Sequence, residues 1–134
     1  MEEPIWIMDE FVGMIHQRQL LEHGGQGGVR DPGLLESALA RPKNLFYYQS
    51  EDVDIARLAA SYAFGIAKNH AFVDGNKRTA FVVCLTFLQL NGCLLDVSQS
   101  EKYSMFLNLA DGEVSEEELA IWIRDRIKII PIES

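Results

Sequence analysis

Apolar residues recur along most of this chain at helical spacing, interrupted by short polar or glycine-rich stretches. One segment differs: from Thr79 to Leu90 it is apolar on nearly every side, with Thr86 and Gln89 the only later polar residues. A helix apolar all round is one buried in a core. At about 1.5 Å per residue, 77–90 spans roughly 20 Å, enough to cross a small domain. Gly75 and Asn76 read as its start and Asn91-Gly92 as an αL stop. Immediately upstream, Asp52 or Asp54 opens a helix whose stripe is Leu58, Ala59, Tyr62, Ala63 and Ile66, leading straight into His70. Arg57 is a lone charge on it, read as a surface or ion-pair residue, with facing phosphate as the lesser alternative.

Four further helices follow from the same pattern. The first is capped by Asp9 and carries Phe11, Ile15, and Leu20 or Leu21. The second starts at Asp31-Pro32, buries Leu34, Leu35, Ala38 and Leu39, and ends at Pro42. A third covers 98–112 and closes at Asp111-Gly112. Ser115 to Glu118 forms a capping box for the last, which runs through Ala120, Ile121, Ile123 and Ile127 to a basic end at Arg124, Arg126 and Lys128. Ile5 to Ile7 is a strand or an extended arm, and 93–97 a strand or a turn. The expected fold is all-α: a single domain, 1–134, of about six helices with 77–90 central and most buried.

Composition narrows the function. At 134 residues and 48% hydrophobic, the chain has the profile of a globular protein, with no apolar run of membrane-spanning length. Its acidic start lacks a signal-peptide pattern, so a cytoplasmic location is expected. A net charge of −8 argues against direct nucleic-acid or membrane-surface binding. Local cations still permit a nucleotide, and Lys68, Lys77 and Arg78 surround one loop. Cys84 and Cys93 complete no zinc pattern and read as free thiols. His16 and His23 share a helix face two turns apart, too far for one metal ion, and are expected to be solvent-facing or half-buried. The glycines in HGGQGGVRDPG lack the Gly-Lys-Ser/Thr of a P-loop and read as a helix stop and a flexible connection.

The loop 70–76 delivers His70, Asp74 and Asn76 to the positive end of helix 77–90, beside Lys77 and Arg78. Free amides, the helix dipole and two cations at one spot make an anion site, most naturally a phosphate site. HAFVDGNKR resembles the signature of the Fic/Doc family, H-x-F-x-[DE]-G-N-[GK]-R, with six fixed residue types in register. Lys77, where most Fic proteins carry Gly, resembles the Doc (death-on-curing) branch, which contains toxins of toxin–antitoxin pairs. The similarity extends upstream to Gly-Gly and to Arg-Asp-Pro-Gly-Leu-Leu-Glu-Ser-Ala-Leu.

Combined with side-chain chemistry, the resemblance implies a role for each residue. His70 is the candidate base for a target hydroxyl, and Asp74 the ligand of Mg²⁺. Gly75, Asn76, Lys77 and Arg78 meet the phosphates of ATP, Arg78 also stabilising transferred charge. Phe72 pins the loop. The aromatics Phe46, Tyr47 and Tyr48 either belong to a flap that aligns the target by strand-like pairing or cap the core. Phe81 stands where Fic enzymes often carry a second Arg. With Lys77 this favours the Doc pattern, transfer of the γ-phosphate to a protein hydroxyl, the family target being elongation factor Tu. AMP transfer and a catalytically inert binding module are the alternatives. The cis-inhibitory motif of many Fic proteins is lacking, since Leu119 follows Ser115 at the position of its Glu, so inhibition is expected from a cognate antitoxin.

Overall fold

The computed structural model describes residues 1–48 and 53–130. In order, it contains α1 (Asp9–His23), α2 (Pro32–Tyr48), α3 (Ile55–Asn69), α4 (Asn76–Leu90), β1 (Cys93–Leu95), α5 (Gln99–Ala110), α6 (Glu116–Arg124) and β2 (Ile127–Ile129). The fold is helical, as the sequence pattern predicts, with two three-residue strands added. β1 and β2 pair antiparallel, Leu94 opposite Lys128, which ties the chain after α6 back to the end of α4. The last helix therefore stops at Arg124, and Ile127 is a strand residue rather than a helical one.

The centre of the bundle is α3, not α4. Ten α3 residues are buried, including the whole expected stripe, and α3 packs against α2, α4, α5 and α6. Small residues allow this: a Cβ on Gly65 would lie 3.2 Å from the Ala38 Cα and carbonyl oxygen, so α2 and α3 touch backbone to backbone. Leu58, Tyr62 and Ile66 fill the gaps, each worth about 1.5–3 kcal/mol of burial. On α4 the buried face is Asn76, Thr79, Ala80, Val83, Cys84, Phe87 and Leu88. Its other face is half-buried, because the apolar side chains there cover α5 and border a cleft. All-round apolarity thus marks a helix between two layers, whereas the small-residue stripe marks the centre.

Two other boundaries differ from the pattern, at α1 and at α2. Asp9 is the first residue inside α1, with Met8 at the cap, and the buried stripe is Val12, Ile15, His16 and Gln19 while Phe11 and Leu21 face solvent. Pro42 lies inside α2, which continues to Tyr48. Asp54 caps α3 by accepting the Arg57 N–H at 2.9 Å; Asp52 lies outside the described residues. The N-terminal segment is an extended arm, Ile5 being bonded through both backbone groups to the Asn91 side chain. Both cysteines are buried and free, and burial pushes the Cys84 thiol well above its ordinary range. Among the described residues no helix is long and apolar enough to cross a membrane.

Candidate active site

α3 ends at Asn69 and is capped by His70, which adopts φ 50° and ψ 46°, the only non-glycine residue with positive φ among those described. Such a backbone is uncommon outside glycine and persists only where its surroundings hold it. Arg30 does so: its Nε donates to the His70 carbonyl at 2.8 Å and a terminal nitrogen to Asn69 at 3.3 Å, occupying orphan carbonyls of the helix end. The His70 side chain is left exposed.

From there the loop is held by a second strand of chain. The backbone of 28–31 runs along it: Arg30 and Asp31 N–H groups donate to Ala71 at 2.7 and 3.0 Å, and Val73 N–H donates to Gly28 at 3.0 Å. The glycine-rich stretch is therefore a strap rather than a slack connection. Gly25 is required there, since at φ 124° a Cβ would stand 2.9 Å from an Asp74 carboxylate oxygen. Phe72, fully buried, anchors the loop as expected. Asn76 fixes it further, its side chain accepting from the Phe72 N–H at 3.1 Å and donating to the Phe72 carbonyl at 3.0 Å. Asn76 thus orients the loop; the anion-facing part it retains is its backbone N–H.

Asp74 is exposed, its carboxylate accepting from Gly75 N–H at 2.9 Å and Gln26 N–H at 3.3 Å. Gly75 takes φ 79° and starts α4 with no side-chain cap. The first turn of α4 therefore offers amides without a side-chain partner, with Lys77 and Arg78 beside them. These residues border a cavity of roughly 880 Å³. Its lining joins His70, Asp74, Gly75, Asn76, Lys77 and Arg78, so the expected site residues converge. The α1 end (Gln19, Glu22, His23, Gly24, Gly25) forms one wall, and Phe81, Tyr103, Phe106 and Leu107 another.

Some residues lie elsewhere. Lys68 reaches the Ala110 carbonyl at 3.2 Å and does not line the cavity. Phe46, Tyr47 and Tyr48 form the last turn of α2, so their backbone cannot pair as a strand; Phe46 packs edge-on to Trp6 at 5.9 Å. His16 is buried rather than half-exposed. Arg57 is an ion-pair residue, 3.4 Å from Glu116. Tyr103, Arg30 and Glu22 were not indicated by the sequence, because α5, the strap and the end of α1 reach the loop only through the tertiary fold. Tyr103 lies under the Arg78 guanidinium at 5.7 Å. A phosphate-bearing ligand suits this cavity: it has an apolar wall, a cationic corner and a helix start. Among the described residues no three His, Cys, Asp or Glu side chains form a metal cage, and a single carboxylate is what a Mg²⁺ shared with phosphates and water requires.

The Fic/DOC family model matches residues 6–88, which includes the strap, α3 and the whole loop. The chain belongs to the Fic/DOC family. Toxin Doc of Mycolicibacterium smegmatis is 44% identical over 82 residues, covering 58% of this chain and 63% of that protein, so the match spans less than two thirds of that relative. Protein kinase doc of Escherichia phage P1 is 32% identical over 110 residues, covering 82% of this chain and 86% of the phage protein. Both relatives carry the Doc name that Lys77 suggests.

Proposed function

We propose that this chain is a Doc-type toxin that transfers the γ-phosphoryl group of ATP to a hydroxyl of a target protein. The observation that carries the reading is the start of α4, which has no side-chain cap, bears two cations and faces the same cavity as His70 and Asp74. In this reading the target hydroxyl oxygen bonds to the γ-phosphorus as the bond to ADP breaks, ADP leaving with the electron pair. His70 takes the hydroxyl proton. The Asn76 amide, with Lys77, holds the phosphates beside Gly75, whose own N–H is bonded to the Asp74 carboxylate, and Arg78 meets the charge on the moving group. Asp74 would hold Mg²⁺, which when bound neutralises phosphate charge.

Two features favour γ over α transfer. Lys77 places a side chain where glycine would admit a closer phosphate, and Phe81 lies edge-on to Phe106 at 5.0 Å, so position 81 supplies no cation. The name of the phage relative, a protein kinase, supports the same choice. Elongation factor Tu is the target implied by the family resemblance, and a cytoplasmic activity is part of this proposal. A cognate antitoxin whose tail folds on the toxin would restrain it.

The test uses the factor and ATP labelled at γ or α. Label from γ only, abolished by Asp74→Ala, is the expected result. Label from α only would establish AMP transfer and overturn the reading of Lys77. No label on any protein, with folded wild type and unimpaired growth on expression, would mark an inert module.

A further inference from the structure

We propose that His16, on α1, is a positioning residue for Asp74, an inference that rests on the transferase reading above. His16 is buried, and its ring stacks on Phe72 at 3.7 Å with 10° between planes. Its Nε2 lies 2.8 Å from the Asp74 carbonyl oxygen. That oxygen only accepts, so Nε2 carries the proton.

Val73 and Asp74 are exposed, and the strap holds this part of the loop only through the Val73 N–H to Gly28 and the Gln26 N–H to the Asp74 carboxylate. Its two carboxylate oxygens bond to the amides of Gly75 and Gln26, contacts that a ligand at the carboxylate must share or displace. The bond from His16 is made to the Asp74 backbone carbonyl, not to the carboxylate, so a ligand at the carboxylate need not displace it. Fixing that carbonyl also fixes the Asp74–Gly75 peptide plane, which leads into the positive-φ turn at Gly75 and aims the first amides of α4. The ring lies against this turn: a Cβ on Gly75 would be 3.6 Å from His16 Cδ2 and Nε2. One buried N–H thus sets both the carboxylate and the start of the phosphate cradle. Errors of about 1 Å in such placement cost on the order of a hundredfold in rate.

The experiment compares His16→Phe and His16→Gln in the full chain. Phenylalanine keeps the ring and its stack on Phe72 but removes the donor; glutamine places an amide N–H at about the reach of Nε2. With Phe, amides 73–76 should exchange hydrogen on the order of tenfold faster. The transfer kcat should fall on the order of ten- to a hundredfold, with a smaller change in the KM for ATP. Gln should restore both. Wild-type exchange at 73–76 in the Phe variant, or a Gln variant no better than Phe, overturns the proposal. If neither variant folds, nitrogen NMR of the wild type decides: a slowly exchanging Nε2–H on His16 supports it and the Nδ1–H tautomer overturns it. Should the wild type transfer no label, the transferase reading fails, while the exchange comparison still judges His16.

Discussion

Two helix starts in this molecule are built on opposite rules. At α6, Ser115 accepts the Glu118 N–H at 3.0 Å and the Glu118 side chain accepts the Ser115 N–H at 3.1 Å, a complete capping box. Three glutamates occupy its first turn, matching the positive end of the dipole, and Glu116 is buried between Arg41 and Arg57. At α4 the cap is a glycine with no side-chain bond, the first turn has no acidic residue, and it carries Lys77 and Arg78. Cations there oppose the dipole by some tenths of a kcal/mol each. A helix start left unfavourable in three ways, yet locked by Asn76, the strap and Arg30, fits the proposed reading in which an anion arrives from outside. The α6 start has the features of stability; the α4 start has those that the proposed phosphate binding calls for.

The largest expected effect separates the two. His70→Asn preserves the left-handed backbone, which Asn tolerates, and removes the imidazole from an exposed position. Transfer should fall on the order of 10²- to 10⁴-fold, with the melting temperature nearly unchanged. A variant that instead melts far below wild type would show the loop to be structural, and the contrast between the two starts would collapse.

Ser115→Ala should do the reverse. Losing the cap should cost about 1 kcal/mol of stability, read by denaturant unfolding, with transfer at saturating ATP unaffected. A loss of activity in a variant that is still folded would connect α6 to the cleft, which no α6 residue lines.

The difference between these starts was partly visible in the sequence. Ser115-Glu116-Glu117-Glu118 could be read as a capping box from residue types alone, and His70 to Arg78 as a loop and a helix start, because both depend on neighbours within a few positions. What could not be read depends on distant chain. The burial of His16 requires knowing that Phe72 returns to α1, and the strap's role requires knowing that 28–31 pairs with 71–73. Pro42 was a stop signal by its missing N–H, yet α2 runs through it in a helix already packed on α3. Likewise Thr79 to Leu90 showed burial on several sides but not which helix lies at the middle. The residue sizes on α3 carried that information, since Gly65 and its alanines permit backbone contact on more than one face.

A third helix start lies between the two extremes and yields the smallest effect. Asp54 caps α3 and also receives Arg124 from the end of α6, at 2.5 and 3.0 Å. Partial burial alone would raise its carboxyl, but the Arg124 hydrogen bond, the Arg57 amide and the Arg124 charge outweigh this and hold it below the ordinary carboxylate range. A carboxyl lowered by folding adds stability above its unfolded value, near 3.9, and loses that contribution as pH falls through the lower folded value. Asp54→Asn keeps a capping oxygen while deleting the charge. Its stability deficit should therefore be full at neutral pH and should shrink below about pH 4 as the wild-type carboxyl is protonated. The deficit should be small, because both side chains of the pair are 43% exposed and screened by solvent, and it should shrink further in high salt. Equilibrium unfolding from pH 7 to 3 reads it directly. Parallel curves for wild type and Asn variant would mean that Asp54 acts at α3 as a neutral cap only, leaving α6 as the one helix start of the three compared whose acids act through charge.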